Sequence, residues 1–230
     1  MKELLFKIAR SEASEKFIGY AFENMTGIMP LDRVKETERT IVFKHPVPQW
    51  EQHLLAVPKK SLKDFASLDF EDLDHIEYLR DLLKSIQDAA SQTSLNTYAV
   101  LMNGGEYQDV PQLHFHIISG KNKNDGSDPI YPLYKNSLKG KTVLEEDEIE
   151  IRDSSKPFRE FHHVIVPKNI RAAVQDINLN DDKTFDEIKT MFEKGQELVK
   201  DSNLDRYTFL TVQQADTSFS LHVISGKSTE

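Results

Sequence analysis

The chain has 230 residues, 38% of them hydrophobic and 29% charged, with a net charge of −9 and no cysteine. That suits one large globular domain or two small ones and excludes disulfides, cysteine nucleophiles and thiolate metal sites. No apolar run reaches the ~18 residues of a membrane span, Met1 to Lys7 lacks an apolar signal region, and the acidic balance argues against an extended nucleic acid or other polyanion as partner, so a cytoplasmic protein without a membrane partner is expected.

In chain order, Leu4–Arg10 reads as a short amphipathic helix, and residues 19–34, with Gly27 and Pro30 as breakers, read as irregular. Thr40–Lys44 and His53–Val57 read as two strands joined through Pro46 and Pro48. A long helix is expected next, capped by Ser67 or Asp69, because Leu73, Ile76, Leu79, Leu83 and Ile86 recur at helical spacing. Tyr98–Met102 reads as a buried strand, and Asn103-Gly104-Gly105 as the turn into the next one. From Gln112 to Ile118 the residues alternate polar and apolar. That is the period of a half-buried strand, which puts Gln112, His114 and His116 on one face and Leu113, Phe115 and Ile117 on the other. The polar, breaker-rich stretch from Lys121 to Lys141 reads as a linker or flap, and Glu145–Glu148 as a solvated edge.

The chain then repeats itself. Glu160–Lys168 parallels Glu51–Lys59 at an offset of 109, with His162 opposite His53. A helix over Asp182–Lys200, with Phe185, Ile188, Phe192 and Val199 in register, follows. Tyr207–Val212 then matches Tyr98–Asn103, and Ser218–Lys227 parallels Gln112–Lys121 at an offset of 106. The shared Ile-Ser-Gly-Lys ending marks a tandem duplication. At the places of Gln112 and His114 the second copy carries Ser218 and Ser220, and it has no Gly-rich loop, so it reads as catalytically dead.

An imidazole with a reference pKa of about 6.5 is largely neutral near pH 7, and a neutral imidazole can attack phosphorus to give a covalent intermediate. A His-x-His pair on a strand also fits two satisfied sheet residues or a pair of metal ligands. His45 and His75 read as surface residues, Trp50 as packing on the sheet edge, and His163 as facing opposite to His162.

The stretch Gln112-Leu113-His114-Phe115-His116-Ile117-Ile118, a Gln-x-His-x-His run, resembles the motif of the histidine triad (HIT) superfamily of nucleotide hydrolases and nucleotidyl transferases. Phe43–Lys60, with His53 before Val57-Pro58-Lys59, resembles the segment upstream of that motif. The resemblance implies that His114 is the nucleophile, that His116 assists at the scissile phosphate or leaving group, and that His53 stands beside them. It implies phosphate binding by Gln108 and Asn103 and nucleoside binding by Phe6, Ile8, Phe43 and His45. This sequence departs from the family at three residues and in one loop. Gln112 replaces the first histidine, Asp109 replaces a Ser or Thr, and His45 stands where many members carry a ribose-binding Asp. The loop from Asn103 to Gln108 is also short.

The fold expected is α+β: a HIT-like unit over 1–125, a linker or flap over 126–142 and a degenerate HIT-like unit over 143–230, joined as an internal pseudo-dimer that is monomeric in solution. Such tandem units resemble the galactose-1-phosphate uridylyltransferase and dinucleoside-tetraphosphate phosphorylase branch, whose motif carries Gln at its third position. The expected function is hydrolysis or nucleotidyl transfer on a purine nucleotide or dinucleotide, without metal or cofactor. A nucleotide-binding or scaffolding protein is the alternative.

Overall fold

The structure, a computed structural model, describes residues 20–23, 27, 29–127, 140–215 and 217–229. The helix expected over Leu4–Arg10, with Phe6 and Ile8, lies outside them, as does most of the expected linker.

Among the described residues, ten strands form one antiparallel sheet. They are β1 (Arg33–Glu36), β2 (Thr40–Lys44), β3 (Trp50–Pro58), β4 (Tyr98–Gly105), β5 (Phe115–Asn122), β6 (Thr142–Glu145), β7 (Ile149–Asp153), β8 (Arg159–Pro167), β9 (Arg206–Gln213) and β10 (Leu221–Ser228). Their spatial order is β1-β2-β3-β5-β4-β9-β10-β8-β7-β6. Two long helices, α1 (Leu73–Gln92) and α2 (Asp182–Asp201), cover one face. Neither is long and apolar enough to cross a membrane. Their buried residues, Leu79, Leu82 and Ile86 on α1 and Phe185, Ile188 and Phe192 on α2, join one core with Val100, Met102 and Phe209 of the central strands. The alternate residues of those strands, Ala99, Leu101, Leu210 and Val212, look the other way and form a second, smaller cluster with Ile118, Phe158, Ile224 and Trp50. Every candidate histidine stands on that second face or at its border.

α1 begins later than expected. Asp72 caps it by accepting from the Asp74 N–H at 2.9 Å. Ser67 is instead held in a short 3₁₀ turn by Asp64, and Asp69 accepts from the Glu71 N–H. A helix starting at Leu73 turns that residue to solvent, 77% exposed, and brings Leu82 into the core. Three strands went unread in the sequence: β1, inside and beyond the segment expected to be irregular, and β6 and β7, on either side of the acidic run. They lie at or next to the sheet's ends, where β1 and β6 bury no residue and β7 alternates buried isoleucines with charged residues. The motif ladder also starts later than the alternation predicts, at Phe115. Gln112–His114 is its lead-in, tied down by the Leu113 N–H donating to the Leu62 carbonyl at 2.7 Å.

The repeated Ser-Gly-Lys has a local cause in each half. Gly120 and Gly226 adopt left-handed φ values of +76° and +86°, which cost glycine little. The kink turns the following N–H toward a carboxylate, Lys121 to Glu51 at 3.1 Å and Lys227 to Glu160 at 2.9 Å. Ser119 and Ser225 each donate to a backbone carbonyl of the next strand or its approach, Thr97 and Arg206, at 2.6 Å.

Candidate functional site

The site is assembled at the meeting of β2, β3, β4 and β5. In the ladder His116 lies between Leu55 of β3 and Leu101 of β4, and Phe43 of β2 is opposite Leu55. Phe43, Leu55, His116 and Leu101 therefore form one row across the sheet. Carried two residues beyond the Leu101–His116 pair, the β4–β5 register brings Asn103 opposite His114.

Hydrogen bonds fix the tautomers. The Gln49 N–H donates to His53 Nδ1 at 3.3 Å, so the ring's proton sits on Nε2, which lies 2.9 Å from His116 Nδ1 and donates to it. His116 is left with its own proton on Nε2. His114 Nδ1–H donates to the Gln112 carbonyl at 2.7 Å, which leaves Nε2 with its lone pair. The His114 and His116 rings meet edge to face, with centroids 4.9 Å apart. A lone pair and an N–H donor thus stand side by side.

Burial keeps all three rings neutral, because a charged imidazole loses its hydration there. It pulls His53 down to about 3, helped by His45, His114 and Lys123. His116 lies well below the ordinary imidazole value, from burial and then His114, His53 and His45. His114 is lowered by burial against the opposing pull of the Gln112 carbonyl and the exposed Asp109 carboxylate.

Gln112 is buried, and its Nε2 donates to the Pro58 and Lys60 carbonyls at 3.0 and 2.9 Å. The side chain thus ties the end of β3 to the lead-in that carries His114, and its backbone carbonyl orients the His114 ring. The amide nitrogen of Gln108 is engaged with the Lys63 and Val110 carbonyls at 2.6 and 2.7 Å. A contact from that amide to phosphate requires the side chain to rotate. Asn103 accepts at Oδ1 from Thr208 Oγ1–H at 2.7 Å.

His45 is no surface residue. It is 9% exposed and stacks on His53 with centroids 4.1 Å apart, because the bend after β2 folds it over the neighbouring strand. His75 is half-buried and accepts from the Asp69 N–H at 3.0 Å. Trp50 packs on the second cluster and also sets its edge against His53, centroids 5.2 Å apart. His45 and His53 both open onto a cleft of about 270 Å³ shared with Lys44, Asp32 and Gln52. Phe43 is buried with Phe22, Ile41 and Leu55.

The nitrogens of His45, His53 and His116 lie within 4.8 Å of one another, close enough to hold a metal. Yet His45 Nδ1 accepts from the Val47 N–H at 3.1 Å, as His53 Nδ1 does from Gln49. Metal-bound histidines ordinarily donate from the second nitrogen. Here two of the three rings accept there, so they turn an N–H, not a lone pair, toward the cluster.

In the second half His162 Nε2 lies 3.0 Å from His222 Nδ1, as His53 does from His116. Ser220 Oγ, in the place of His114, sits 3.2 Å from His222 Nε2, and all three residues are buried. His163 faces away from His162 and pairs with Asp153 at 2.8 Å.

Residues 27–123 match the HIT domain family. A HIT-like protein from Chlamydia muridarum is 34% identical over 97 residues, covering 41% of this chain and 75% of that one. The chain belongs to the HIT superfamily. Its whole fold is similar to two solved structures at low identity. A DUF4931 family protein from Bacillus cereus, 14% identical, aligns over 86% of this chain and 87% of its own with a TM-score of 0.59. A uridylyltransferase mutant, 10% identical, aligns over 83% and 77% with a TM-score of 0.55.

Proposed function

We propose that the protein is a nucleotide hydrolase or nucleotidyl transferase that works through a covalent nucleotidyl-histidine on His114. The observation that carries this reading is the pair of fixed tautomers: a His114 Nε2 lone pair beside a His116 Nε2–H. In the first displacement His114 Nε2 bonds to phosphorus and the bond to the leaving group breaks, a phosphate departing as its anion and an amine taking a proton from solvent. The Nδ1–H bond to the Gln112 carbonyl then supports the positive ring. In the second, water or another acceptor attacks and releases its proton to solvent as the P–N bond breaks, which returns His114 to its neutral form. His116, neutral, gives a hydrogen bond and not a proton, stabilising a phosphate oxygen as charge develops. A purine nucleotide or dinucleotide fits this reading, its phosphate at His114, His116 and Asn103 and its nucleoside toward Phe43 and His45. The HIT family model and the uridylyltransferase neighbour support nucleotide chemistry as a class.

The chain, in the same proposal, is a pseudo-dimer of two HIT-like units, 1–125 and 143–230. Leu101 and Leu210, 109 residues apart as the repeat requires, face each other where β4 pairs with β9. The matched His53–His116 and His162–His222 pairs support it too. The second unit is inactive because Ser220 replaces the nucleophile and occupies the nitrogen that a substrate would need.

To test the reading, the protein is incubated with labelled nucleotides, quenched in alkali and analysed by mass spectrometry. An adduct on His114 is expected, and His114→Ala should abolish it while leaving nucleotide binding largely intact. The engaged Gln108 amide favours a second reading, a binding module without turnover. Equal product release by wild type and His114→Ala would establish that one.

A further inference from the structure

We propose that the second half does a specific job in the first half's site, and that Thr208 is a positioning residue for the reaction at His114. The inference rests on the reading above that His114 attacks phosphorus.

Asn103 and Thr208 are directly paired in the β4–β9 ladder, and Asn103 falls opposite His114 when the β4–β5 register is extended. His114, Asn103 and Thr208 therefore form a row, one from each of three neighbouring segments. Thr208 is buried and its hydroxyl donates to Asn103 Oδ1 at 2.7 Å. A side-chain amide has one acceptor end and one donor end. With the acceptor end held by Thr208, the end left for a substrate is the Nδ2 donor pair, and no described protein group accepts from it. A phosphoryl oxygen needs donors. In this arrangement Thr208 holds the amide by its oxygen and leaves the Nδ2 donors for a phosphate, and it does so from the half that has lost its own nucleophile.

The turn after Asn103 is held from the same side. The Glu106 N–H donates to the Asp205 carbonyl at 2.9 Å, and the Glu106 carboxylate pairs with Arg206. Tyr107 Oη–H donates to the Gly226 carbonyl at 3.1 Å, beneath the Arg206 guanidinium 5.8 Å from its ring. A Cβ on Gly104 would lie 2.1 Å from the Tyr207 ring, so strand and turn fit closely against β9. Exposed contacts of this kind add little stability one by one. Their effect is geometric: they hold the segment from Asn103 to Gln108 against the second half, and a small misplacement of a catalytic donor slows a reaction strongly.

The test uses the full chain, with adenosine 5′-phosphoramidate for turnover and AMP for binding. Thr208→Val keeps the β-branched shape and removes the donor. It should lower kcat about tenfold, the loss of one oriented hydrogen bond, with KM changed less than about twofold. Thr208→Ser should recover most of the rate. In an Asn103→Ala background Thr208→Val should add nothing further, since both act through one amide. In the wild type the Asn103 side-chain NH2 signals should shift on AMP addition, and in Thr208→Val that shift should shrink. A wild-type rate in Thr208→Val, or a loss that persists in full without the Asn103 amide, overturns the inference and leaves the His114 reading standing. A wild type that neither turns over the phosphoramidate nor binds AMP overturns both.

Discussion

At the scale of single residues, the site depends on imidazoles kept neutral by burial. That choice links stability to pH. The His53 pKa in the fold is about 3, whereas an unfolded imidazole titrates near 6.5. Between those values the unfolded chain holds the extra proton, so stability is complete above about pH 6.5 and is lost as pH falls toward 3, by at most about 1.4 kcal/mol per pH unit for each such histidine. His116 and His222, also held low, act in the same direction. Thermal unfolding followed from pH 7 to pH 4 should show a falling Tm, with a shallower slope in His53→Gln; parallel slopes would contradict the assignment. Gln112 offers a second test. Gln112→Met keeps the volume but strips both donors from the Pro58 and Lys60 carbonyls, and it should cost about 2 kcal/mol in urea unfolding and slow adduct formation on His114. Much of this site was legible beforehand. His53, His114 and His116 were picked out by their likeness to the HIT motif, and His116 meets both of the others. His45 was misread because a polar residue before a proline looks like a surface turn; its burial comes from stacking on a ring eight residues away across a bend. Thr208 gave no local signal at all, because its meaning depends on which strand lies next to β9.

Among the elements, β4 was read from its apolar run, β5 from alternation, β9 and β10 from their likeness to the first copy, and both long helices from their helical spacing. β1, β6 and β7, at and next to the sheet's ends, were not: β1 and β6 bury no residue, and β7 spends one side on charge. The repeated Ser-Gly-Lys was seen as a likeness before it had a cause. Its cause is the bulge that aims an N–H at a glutamate, and the cause makes a paired prediction. A Cβ on Gly120 would lie 2.2 Å from Glu51 Oε2 and one on Gly226 2.5 Å from Glu160 Oε2, both at positive φ. Gly120→Ala and Gly226→Ala should each destabilise by about 1–3 kcal/mol, measured by urea unfolding. Costs of similar size in the two variants would agree with a shared bulge; a neutral Gly226→Ala would not.

For the molecule as a whole, the continuous sheet is the consequential feature. β4 pairs with β9 over eight residues, from Tyr98–Gln213 to Gly105–Arg206. A fragment ending at residue 127 would leave that edge of β4 unpaired, and unpaired edges recruit other strands. Such a fragment should form a dimer through β4 with a mass twice its own by light scattering; a stable monomer would count against the proposed pairing of like units. Strand order of this kind is beyond a repeat in sequence, which says that two units exist but not which edges they join. The centre of the sheet has one more property. Two identical subunits meeting at a shared axis must present the same side chain from both sides, so any change there is made twice. In this chain Leu101 and Leu210 face each other at that place but are encoded separately. One could become a cation and the other an anion, a complementary pair that a symmetric assembly of identical copies is unable to carry.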